Sequence, residues 1–475
     1  MKVFMLNPPY GQDFCRSARW YAKSRGRVQR HPDWMLIAAA VLERAGNQVK
    51  FLDAAALNLN TDQVKTAIKN FRPDMTVIHT TTPSIYSDID FAGLAKEVSH
   101  TLTVLIGTHA TAMPEEVLHT GETKTDVIAR GEYDYTLRDI ASGRALEEVE
   151  GISYKRNGDV IHNPDRDPID DVNELPFPAW HHVDIRDYHD AGKLYPFITL
   201  ISGRGCENLC TFCQFPQVMY GRRYRTRSPK LIVDEIEYDM ELFPYLKEVM
   251  FEDDTFTLKA HRERLRAICN EILRRGIKIS WSANARVDLN DVETLGLMKQ
   301  SGCRMLCVGF EFGSQEMLNN IKKGTTLEQS RIFAENCRKV GIRVHGCFMI
   351  GGPGETRQTA MQTIQFAKDL PIDTVQFSGV CPYPGTEYYR CCEEHGYLVP
   401  KDWTEWVDKN KEQRTVINLP GLSMEEINKL VDMGLKSFYL RPSQMFRMLR
   451  EIRSISDLRA KLYGLKSFAG YFTLR

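Results

Sequence analysis

Three cysteines, Cys206, Cys210 and Cys213, fall within eight residues and constrain this chain more than any other feature. They follow the apolar run 197–201, which has the length and composition of a buried strand. Thiolates spaced so closely on one loop can all bind a single soft metal centre. No Cys-x-x-Cys pair later in the chain offers the fourth ligand of a structural zinc site. The spacing therefore favours an iron–sulfur cluster over zinc or three unrelated buried thiols. A four-iron cube held by three thiolates keeps one iron open to a small chelating molecule.

The spacing Cys-x3-Cys-x2-Cys, with Phe212 before the third cysteine, resembles the signature of the radical S-adenosylmethionine (SAM) superfamily. The resemblance implies that Cys206, Cys210 and Cys213 hold a [4Fe-4S] cluster and that SAM occupies its open iron. Reduction would then cleave SAM to a 5′-deoxyadenosyl radical that abstracts hydrogen from carbon.

The length of 475 residues suits two or three domains, and a hydrophobic content of 43% is that of a globular protein. The formal net charge is zero, so no global field favours nucleic acid, and we expect no nucleic-acid partner. The apolar run after Met1 is too short for a signal peptide, and no uninterrupted run of about 18 apolar residues suggests a membrane span. Without an export signal, the twelve cysteines are expected to be reduced thiols in a cytoplasmic protein.

Strand and helix patterns alternate through residues 1–142, which predicts an α/β domain with a doubly wound parallel sheet. Ligands of such sheets bind beyond the carboxyl ends of the strands, where this chain places small polar residues. Ordinary turn chemistry would also explain those residues. The expected strands are 2–8, 49–53, 75–80, 103–106 and 126–129, and the expected helices are 34–46, 62–71, 85–99, 113–119 and 134–141.

This domain, with Asn7-Pro8-Pro9, residues 107–116 and Arg130-Gly131-Glu132, resembles the cobalamin (B12)-binding radical SAM family. The resemblance implies a bound cobalamin. The Asp-x-His-x-x-Gly motif of cobalamin mutases is absent, so no histidine is expected below the cobalt. We interpret His109 as a loop residue beside the corrin or a satisfied turn residue. The candidate cobalamin-binding residues are Asn7, Pro8, Thr81, Thr82, Ser84, Gly107, His109, Thr111, Gly131 and Glu132.

Residues 143–190 are expected to form a hairpin, turning at Asn157-Gly158, and then a linker rich in Asp and Pro. Residues 191–415 repeat the strand–helix alternation and predict a partial (β/α)6 radical SAM barrel with its chemistry at the strand carboxyl ends. The expected strands are 197–202, 248–252, 279–283, 305–310, 343–350 and 374–380, with helices at 229–242, 259–275, 291–300, 327–340 and 356–369.

Several side chains at those strand ends are candidate SAM ligands. The run Glu252-Asp253-Asp254 could bind the SAM ammonium group or cap a helix, and the resemblance selects Asp253 or Asp254 for SAM. Glu311, between two phenylalanines, could accept ribose hydroxyls. By resemblance, the segment with Ile350, Gly352 and Glu355 approaches adenine. Further candidates are Ser282 and Arg286 for the SAM carboxylate, and Tyr383, Cys381 and Cys347 for substrate.

The carboxyl-terminal extension, 416–475, is expected to be helical. From Lys436 to Arg475 it carries nine Lys or Arg residues interleaved with aromatic residues. Such a tail could contact an anionic membrane surface or pack across the barrel.

The carboxyl-terminal half resembles hopanoid-biosynthesis radical SAM enzymes and anaerobic magnesium-protoporphyrin IX monomethyl ester cyclase. The resemblance implies functionalisation of an unactivated carbon, with C-methylation of a lipid or natural-product intermediate as the leading hypothesis. A cyclase or ring-rearranging enzyme without methyl transfer is the alternative, and a reductant such as flavodoxin or ferredoxin is an expected partner. A cobalamin carrier or sensor would not need the three intact cysteines. A tRNA methylthiotransferase would need three cysteines in the first domain, which has only Cys15.

Overall fold

The computed structural model describes residues 1–24, 26–442 and 444–446 of the chain. The chain builds two sheets one after the other, and helices pack against both. The strands are β1 Lys2–Asn7, β2 Phe14–Cys15, β3 Ala22–Lys23, β4 Gln48–Asp53, β5 Met75–His79, β6 Leu102–Ile106, β7 Val127–Ala129, β8 Ile152–Arg156, β9 Asp159–His162, β10 Phe197–Leu200, β11 Gly203–Arg204, β12 Arg225–Thr226, β13 Glu248–Phe251, β14 Ser280–Ala285, β15 Cys303–Glu311, β16 Arg343–Ile350 and β17 Thr374–Gly379.

The α-helices separate the strands and follow the last of them. They are α1 Asp33–Arg44, α2 Thr61–Phe71, α3 Ile85–Ser99, α4 Thr108–Ala112, α5 Pro114–Gly121, α6 Asp134–Ala141, α7 Pro229–Leu242, α8 Arg262–Arg274, α9 Val292–Gln300, α10 Gln315–Asn320, α11 Leu327–Val340, α12 Arg357–Asp369, α13 Glu387–Glu394 and α14 Met424–Tyr439.

The first sheet has the order β4-β1-β5-β6-β7-β8-β9, and its first five strands are parallel. Strand β1 is apolar and buried from Val3 to Leu6 because helices cover both faces of the sheet. The strand order reverses at β1, and the carboxyl ends of the strands beside such a reversal form a natural ligand crevice. The predicted doubly wound domain is confirmed.

The predicted hairpin forms, with Asn157 and Gly158 in the left-handed conformation that a tight two-residue turn requires. Its strand β8 pairs antiparallel with β7, so the hairpin extends the first sheet. The sequence placed this hairpin in the linking segment, because a local turn signal does not show which strand a hairpin will join.

The second sheet is entirely parallel and follows chain order, β10-β13-β14-β15-β16-β17. Helices alternate with its strands and pack against its outer face, which gives the predicted partial (β/α)6 barrel. Local signals fix several helix starts: Ser228 caps α7 just before Pro229, and Thr326 and Ser423 form capping boxes at α11 and α14.

Residues 8–24 and 26–32, here called the amino-terminal segment, cross from the first sheet to the barrel. The Gln29 N–H donates to the His189 carbonyl at 2.9 Å, and Lys23 N–H donates to the Lys411 carbonyl at 2.7 Å. The segment therefore lies between the two halves of the chain, and beyond Asn7-Pro8-Pro9 no role was predicted for it from the sequence.

Helix α14 packs against β17 and α12, in keeping with a helical extension. Most of the predicted basic tail lies outside the described residues. Within the described part of the chain, none of the helices combines the length and apolar character that a bilayer crossing needs.

Candidate active site

The three signature cysteines lie on one loop that begins after β11. Cys206 and Cys210 are buried and Cys213 is half-buried. Burial raises the pKa of Cys213, and the nearby Asp254 and Cys210 raise it further, so these groups are close enough to interact electrostatically. Such a donor set fits a [4Fe-4S] cluster, whose irons would stabilise the thiolates that burial alone disfavours.

Gln217 holds the backbone of this cysteine loop. Its side-chain nitrogen donates to the carbonyls of Cys210, Thr211 and Cys213 at 3.3, 3.1 and 2.8 Å. Its side-chain oxygen accepts the Glu387 N–H at 2.9 Å, at the start of α13. The loop is therefore preorganised by a side chain four residues beyond the last cysteine.

The two candidate aspartates after β13 have different surroundings. Asp253 is fully buried and accepts hydrogen bonds from the Ser202 N–H, the Ser202 hydroxyl and the Tyr224 hydroxyl, each at 2.6 Å. Those bonds fasten the strand before the cysteine loop to the strand beside it. Asp254 accepts the Gly205 N–H at 2.9 Å, directly before Cys206. Both carboxylates therefore have partners within the protein, and the choice of Asp254 for the SAM ammonium stays a prediction.

Two arginines of the amino-terminal segment reach this acidic run. Arg19 pairs with Asp254 at 2.6 Å, donates to the Glu252 carbonyl at 2.9 Å and lies over the Phe215 ring at 5.0 Å. Arg30 pairs with Asp190 at 2.7 Å and with Glu252 at 3.3 Å. The sequence analysis missed both. The available signal was the segment's composition, which includes several basic residues and only one acid, Asp13.

Glu311, Lys323 and Arg286 lie together at the mouth of the barrel. Glu311 ends β15 in a left-handed conformation, with φ 63°, and pairs with Lys323 at 2.6 Å. Burial would lower the pKa of Lys323, but Glu311 and Cys210 raise it. Arg286 donates to the Lys323 carbonyl at 2.9 Å. The sequence analysis missed Lys323, and the SAM-binding roles of Glu311 and Arg286 stay predictions.

Ser282 is not at this mouth. Its hydroxyl donates to Glu248, the first residue of β13, at 2.5 Å and accepts from Lys193 at 3.1 Å. Ser282 is the third residue of β14 and is in register with Met250 of β13, so it lies midway along the barrel wall. Its hydroxyl has two partners within the protein, and its contact with the SAM carboxylate stays a prediction.

The segment after β16 forms a close-packed glycine turn. A Cβ atom on Gly352 would lie 2.6 Å from Phe312, so a larger residue would not fit without displacing that ring. Glu355 accepts the Gly352 N–H at 3.1 Å, and burial raises the pKa of its carboxyl group to about 7. Ile350 is fully buried. The turn brings its backbone close to the barrel mouth. The contact of this turn with adenine stays a prediction, and so does the contact of Phe212 with the cluster region.

Of the three candidate substrate residues, Cys381 and Tyr383 interact through their side chains. Cys347 lies on the inner face of the barrel, half-buried and in register with Gly309. Tyr383 is buried, and its ring packs against Tyr21 with centroids 5.3 Å apart. Cys381 follows β17 two residues before Tyr383, and it is half-buried. Cys347 is therefore the candidate that faces the barrel interior.

A narrow crevice lies between the carboxyl ends of the first sheet and the turn after the cysteine loop. Its lining comes from the first domain, the amino-terminal segment and the barrel domain together. Lining residues include Arg16, Tyr21, Trp34, His79, Gly107, Thr108, Tyr133, Phe215, Met219 and Tyr220.

The crevice is mostly apolar, and a few buried polar groups lie on its wall. Gly107 has φ 109°, and a Cβ there would lie 2.6 Å from the Thr80 carbonyl, so glycine keeps this edge open. Arg16 is buried, and two of its guanidinium nitrogens, Nε and Nη1, have no partner among the described residues. The Nδ1 atom of His79 has none there either. A corrin ring bordered by amide side chains can satisfy such groups. The residues therefore fit cobalamin.

Most other candidate cobalamin residues are engaged within the protein. Glu132 accepts from Arg204 at 2.6 Å and from Arg225 at 2.7 Å, which joins the first domain to the barrel. His109 Nδ1 lies 3.2 Å from the Thr82 hydroxyl, and its ring packs against Trp403. The remaining candidates, Asn7, Pro8, Thr81, Ser84, Thr111 and Gly131, are not among the residues that line the crevice, and several bond to their own loops.

Comparisons with known proteins agree with this geometry. The Radical SAM superfamily model matches residues 200–367, and the B12 binding domain model matches residues 27–141. An uncharacterized methyltransferase of Pyrococcus horikoshii is 32% identical over 426 residues, covering 88% of this chain and 90% of that protein. The anaerobic magnesium-protoporphyrin IX monomethyl ester cyclase of Rubrivivax gelatinosus is 30% identical over 376 residues, covering 76% of this chain and 66% of that protein.

A solved structure shows the same fold. The radical SAM methyltransferase TsrM of Kitasatospora setae, with cobalamin and a [4Fe-4S] cluster bound, superposes with a TM-score of 0.69 at 17% identity. The match covers 93% of this chain and 90% of that one.

A chain that joins a B12-binding domain to a cluster-binding partial barrel is a radical SAM enzyme. This chain belongs to the cobalamin-binding radical SAM family, and its cofactors are a [4Fe-4S] cluster, SAM and cobalamin. The predicted family, fold class and cofactors are confirmed.

Proposed function

We propose that this enzyme transfers a methyl group to an unactivated carbon of a small molecule. The observation that carries the proposal is the shared crevice, which is lined from one side by His79, Gly107 and Thr108 and from the other by Phe215 and Met219. The residues that fit cobalamin therefore lie one short turn from the loop that fits the cluster. A methyl donor and a radical generator acting on the same carbon need that proximity.

When bound, the cluster and SAM supply a 5′-deoxyadenosyl radical, and cobalamin supplies the methyl group. The protein's own residues position these groups. Asp254 presents a carboxylate to the SAM ammonium, and Gln217 holds the cysteine loop in shape. Arg19 supplies a compensating positive charge beside Asp254.

The substrate is proposed to lie against the inner face of β15, β16 and β17. Side chains there are partly exposed, whereas the alternate residues Val344, Phe348 and Ile350 are buried under the helices. Cys307, His345 and Cys347 give this inner face a polar and sulfur-bearing character. Such a surface suits a small molecule with hydrogen-bonding groups better than a wholly apolar lipid tail.

A cyclisation or rearrangement without methyl transfer is the second candidate, favoured by the similarity to the cyclase. A low-potential donor such as flavodoxin or ferredoxin would reduce the cluster in either case. Peripheral membrane contact through the basic tail stays a prediction, as does a cytoplasmic location.

The two reactions differ in what they do to SAM. Anaerobic enzyme loaded with iron, sulfide and hydroxocobalamin would be incubated with SAM bearing a trideuteriomethyl group, a reductant and a fractionated small-molecule extract. Methyl transfer predicts a deuterium-labelled product, with S-adenosylhomocysteine and 5′-deoxyadenosine formed together. If 5′-deoxyadenosine formed with neither a deuterium-labelled product nor S-adenosylhomocysteine, methyl transfer would be contradicted and cyclisation supported.

The control variant is matched by residue type. Cys210→Ala should abolish both the brown cluster colour and deoxyadenosine formation. Cys391→Ala, which removes a half-buried thiol of α13, should leave both unchanged. Deoxyadenosine formation by the Cys210 variant would refute the assignment of the cluster ligands.

A further inference from the structure

Away from the cofactor region, two adjacent histidines and a glutamate meet at the end of α1. His181 Nε2 lies 2.9 Å and His182 Nε2 lies 2.8 Å from the same Glu43 oxygen. One ligand atom from each of the three side chains lies within 4.8 Å of the ligand atoms of the other two. Neither the radical reaction nor the B12 domain requires this cluster.

The backbone holds the three side chains in place. His181 and His182 lie on the 3-10 turn Trp180–His182, whose first residue is only 1% exposed and packs against His31 and Phe243. The Ala179 N–H donates to the Leu36 carbonyl of α1 at 3.1 Å. The turn is therefore fixed to the same helix that carries Glu43, and the cluster is preorganised across the join between α1 and the linker.

Two imidazoles and one carboxylate are a ligand set that binds zinc, with water in the fourth position. Metal–ligand bonds of about 2.0–2.2 Å in a tetrahedral site place neighbouring donors roughly 3.3 Å apart. The two N···O distances here, 2.9 and 2.8 Å, need to widen by only about half an ångström. The His181 side chain is 60% exposed, so solvent can supply the remaining ligand.

We propose that Glu43, His181 and His182 form a binding site for a divalent zinc ion. The ion would take the place of the two hydrogen bonds to Glu43, with each imidazole presenting an unprotonated Nε2. It would clamp α1 to the linker. The first turn of α1 lines the cofactor crevice through Trp34 and Met35, so the clamp would steady one wall of that crevice.

The test uses cluster-loaded, cobalamin-loaded enzyme, because empty cluster cysteines would themselves bind zinc. After dialysis against ZnCl₂ and removal of free metal, bound zinc is counted by elemental analysis and its ligands are identified by X-ray absorption at the zinc edge. The expected result is about one zinc per chain with nitrogen and oxygen neighbours near 2.0 Å. A sulfur shell near 2.3 Å, or no retained zinc, would overturn the proposal.

His181→Ala and Glu43→Gln should each weaken zinc binding about tenfold or more. Both positions are at least partly exposed, so the fold is expected to survive, and far-UV circular dichroism checks this. His119→Ala is the matched control, because His119 faces a single carboxylate, Glu115 at 3.8 Å, on an exposed helix. Zinc retained equally by all three variants would place the ion elsewhere and refute the site.

Discussion

The buried ion-pair cluster at Glu132 gives the sharpest test of how the two halves of the chain are joined. Glu132 and Asp134 face Arg204 and Arg225, and all four side chains are no more than 3% exposed. One Glu132 oxygen also accepts the Ile169 N–H at 2.9 Å, which fixes the linker. We predict that Glu132→Gln leaves this interface with an uncompensated buried positive charge.

Removing one partner of a buried ion pair costs about 3–5 kcal/mol. Because about 1.4 kcal/mol changes an equilibrium tenfold, the population in which this interface is open should rise by a factor of about 100 or more. Under native conditions, proteolysis of a transiently open segment follows that population. Trypsin cleavage after Arg166, beside the linker residue bound to Glu132, should therefore accelerate by a similar factor.

The assay compares cleavage rates of wild type, Glu132→Gln and Glu115→Gln. Glu115 is an exposed glutamate in the same domain, with its side chain 70% exposed, and its replacement should change the rate little. Bound corrinoid at low temperature should be unchanged in both variants, since Glu132 does not line the crevice. An unaltered cleavage rate would refute this account. If corrinoid were lost while the cleavage rate stayed unaltered, Glu132 would instead be supported as a cobalamin ligand.

Three further perturbations probe the site. Gln217→Leu removes the donor to three loop carbonyls, so a chelator should remove the cluster iron at least about tenfold faster than from wild type. The surface variant Gln365→Leu should lose iron at the wild-type rate. Asp254→Asn should weaken SAM binding to cluster-loaded enzyme about tenfold, as measured by calorimetry. Asp253→Asn should lower the midpoint of unfolding and leave the SAM affinity nearly unchanged. The reverse pattern would exchange the roles of the two aspartates. His31 is buried among aromatic rings, and burial, then Arg30, lowers its pKa from 6.5 to about 3. Between pH 6.5 and about 3 the unfolded chain therefore binds a proton that the folded chain does not, and stability falls by about 1.4 kcal/mol for each pH unit in that range. His31→Phe should remove that part of the acid sensitivity in urea unfolding at a series of pH values, and an unchanged pH slope would contradict a neutral buried His31.

The sequence alone gave much of the secondary structure because local signals were strong. The predicted helices 229–242 and 327–340 match the structure at both ends, since each begins at a Ser or Thr cap and continues with a regular apolar face. Short helices were harder. Helix α10 and helix α13 were not predicted, because six or eight residues carry too little periodicity to stand out.

The sequence also determined the chemistry of the cluster loop, because Cys206, Cys210 and Cys213 are neighbours along the chain and their spacing is itself the ligand geometry. Only the tertiary structure decided which acids and bases surround that loop. Arg19 meets Asp254 across 235 residues, and Glu132 meets Arg225 across 93. No local pattern encodes such pairings, since they depend on how two separately folded sheets pack together. The two neighbouring aspartates show the same dependence on packing: Asp253 is bound by Ser202 and Tyr224, while Asp254 is bound by Gly205 and by Arg19 of the amino-terminal segment.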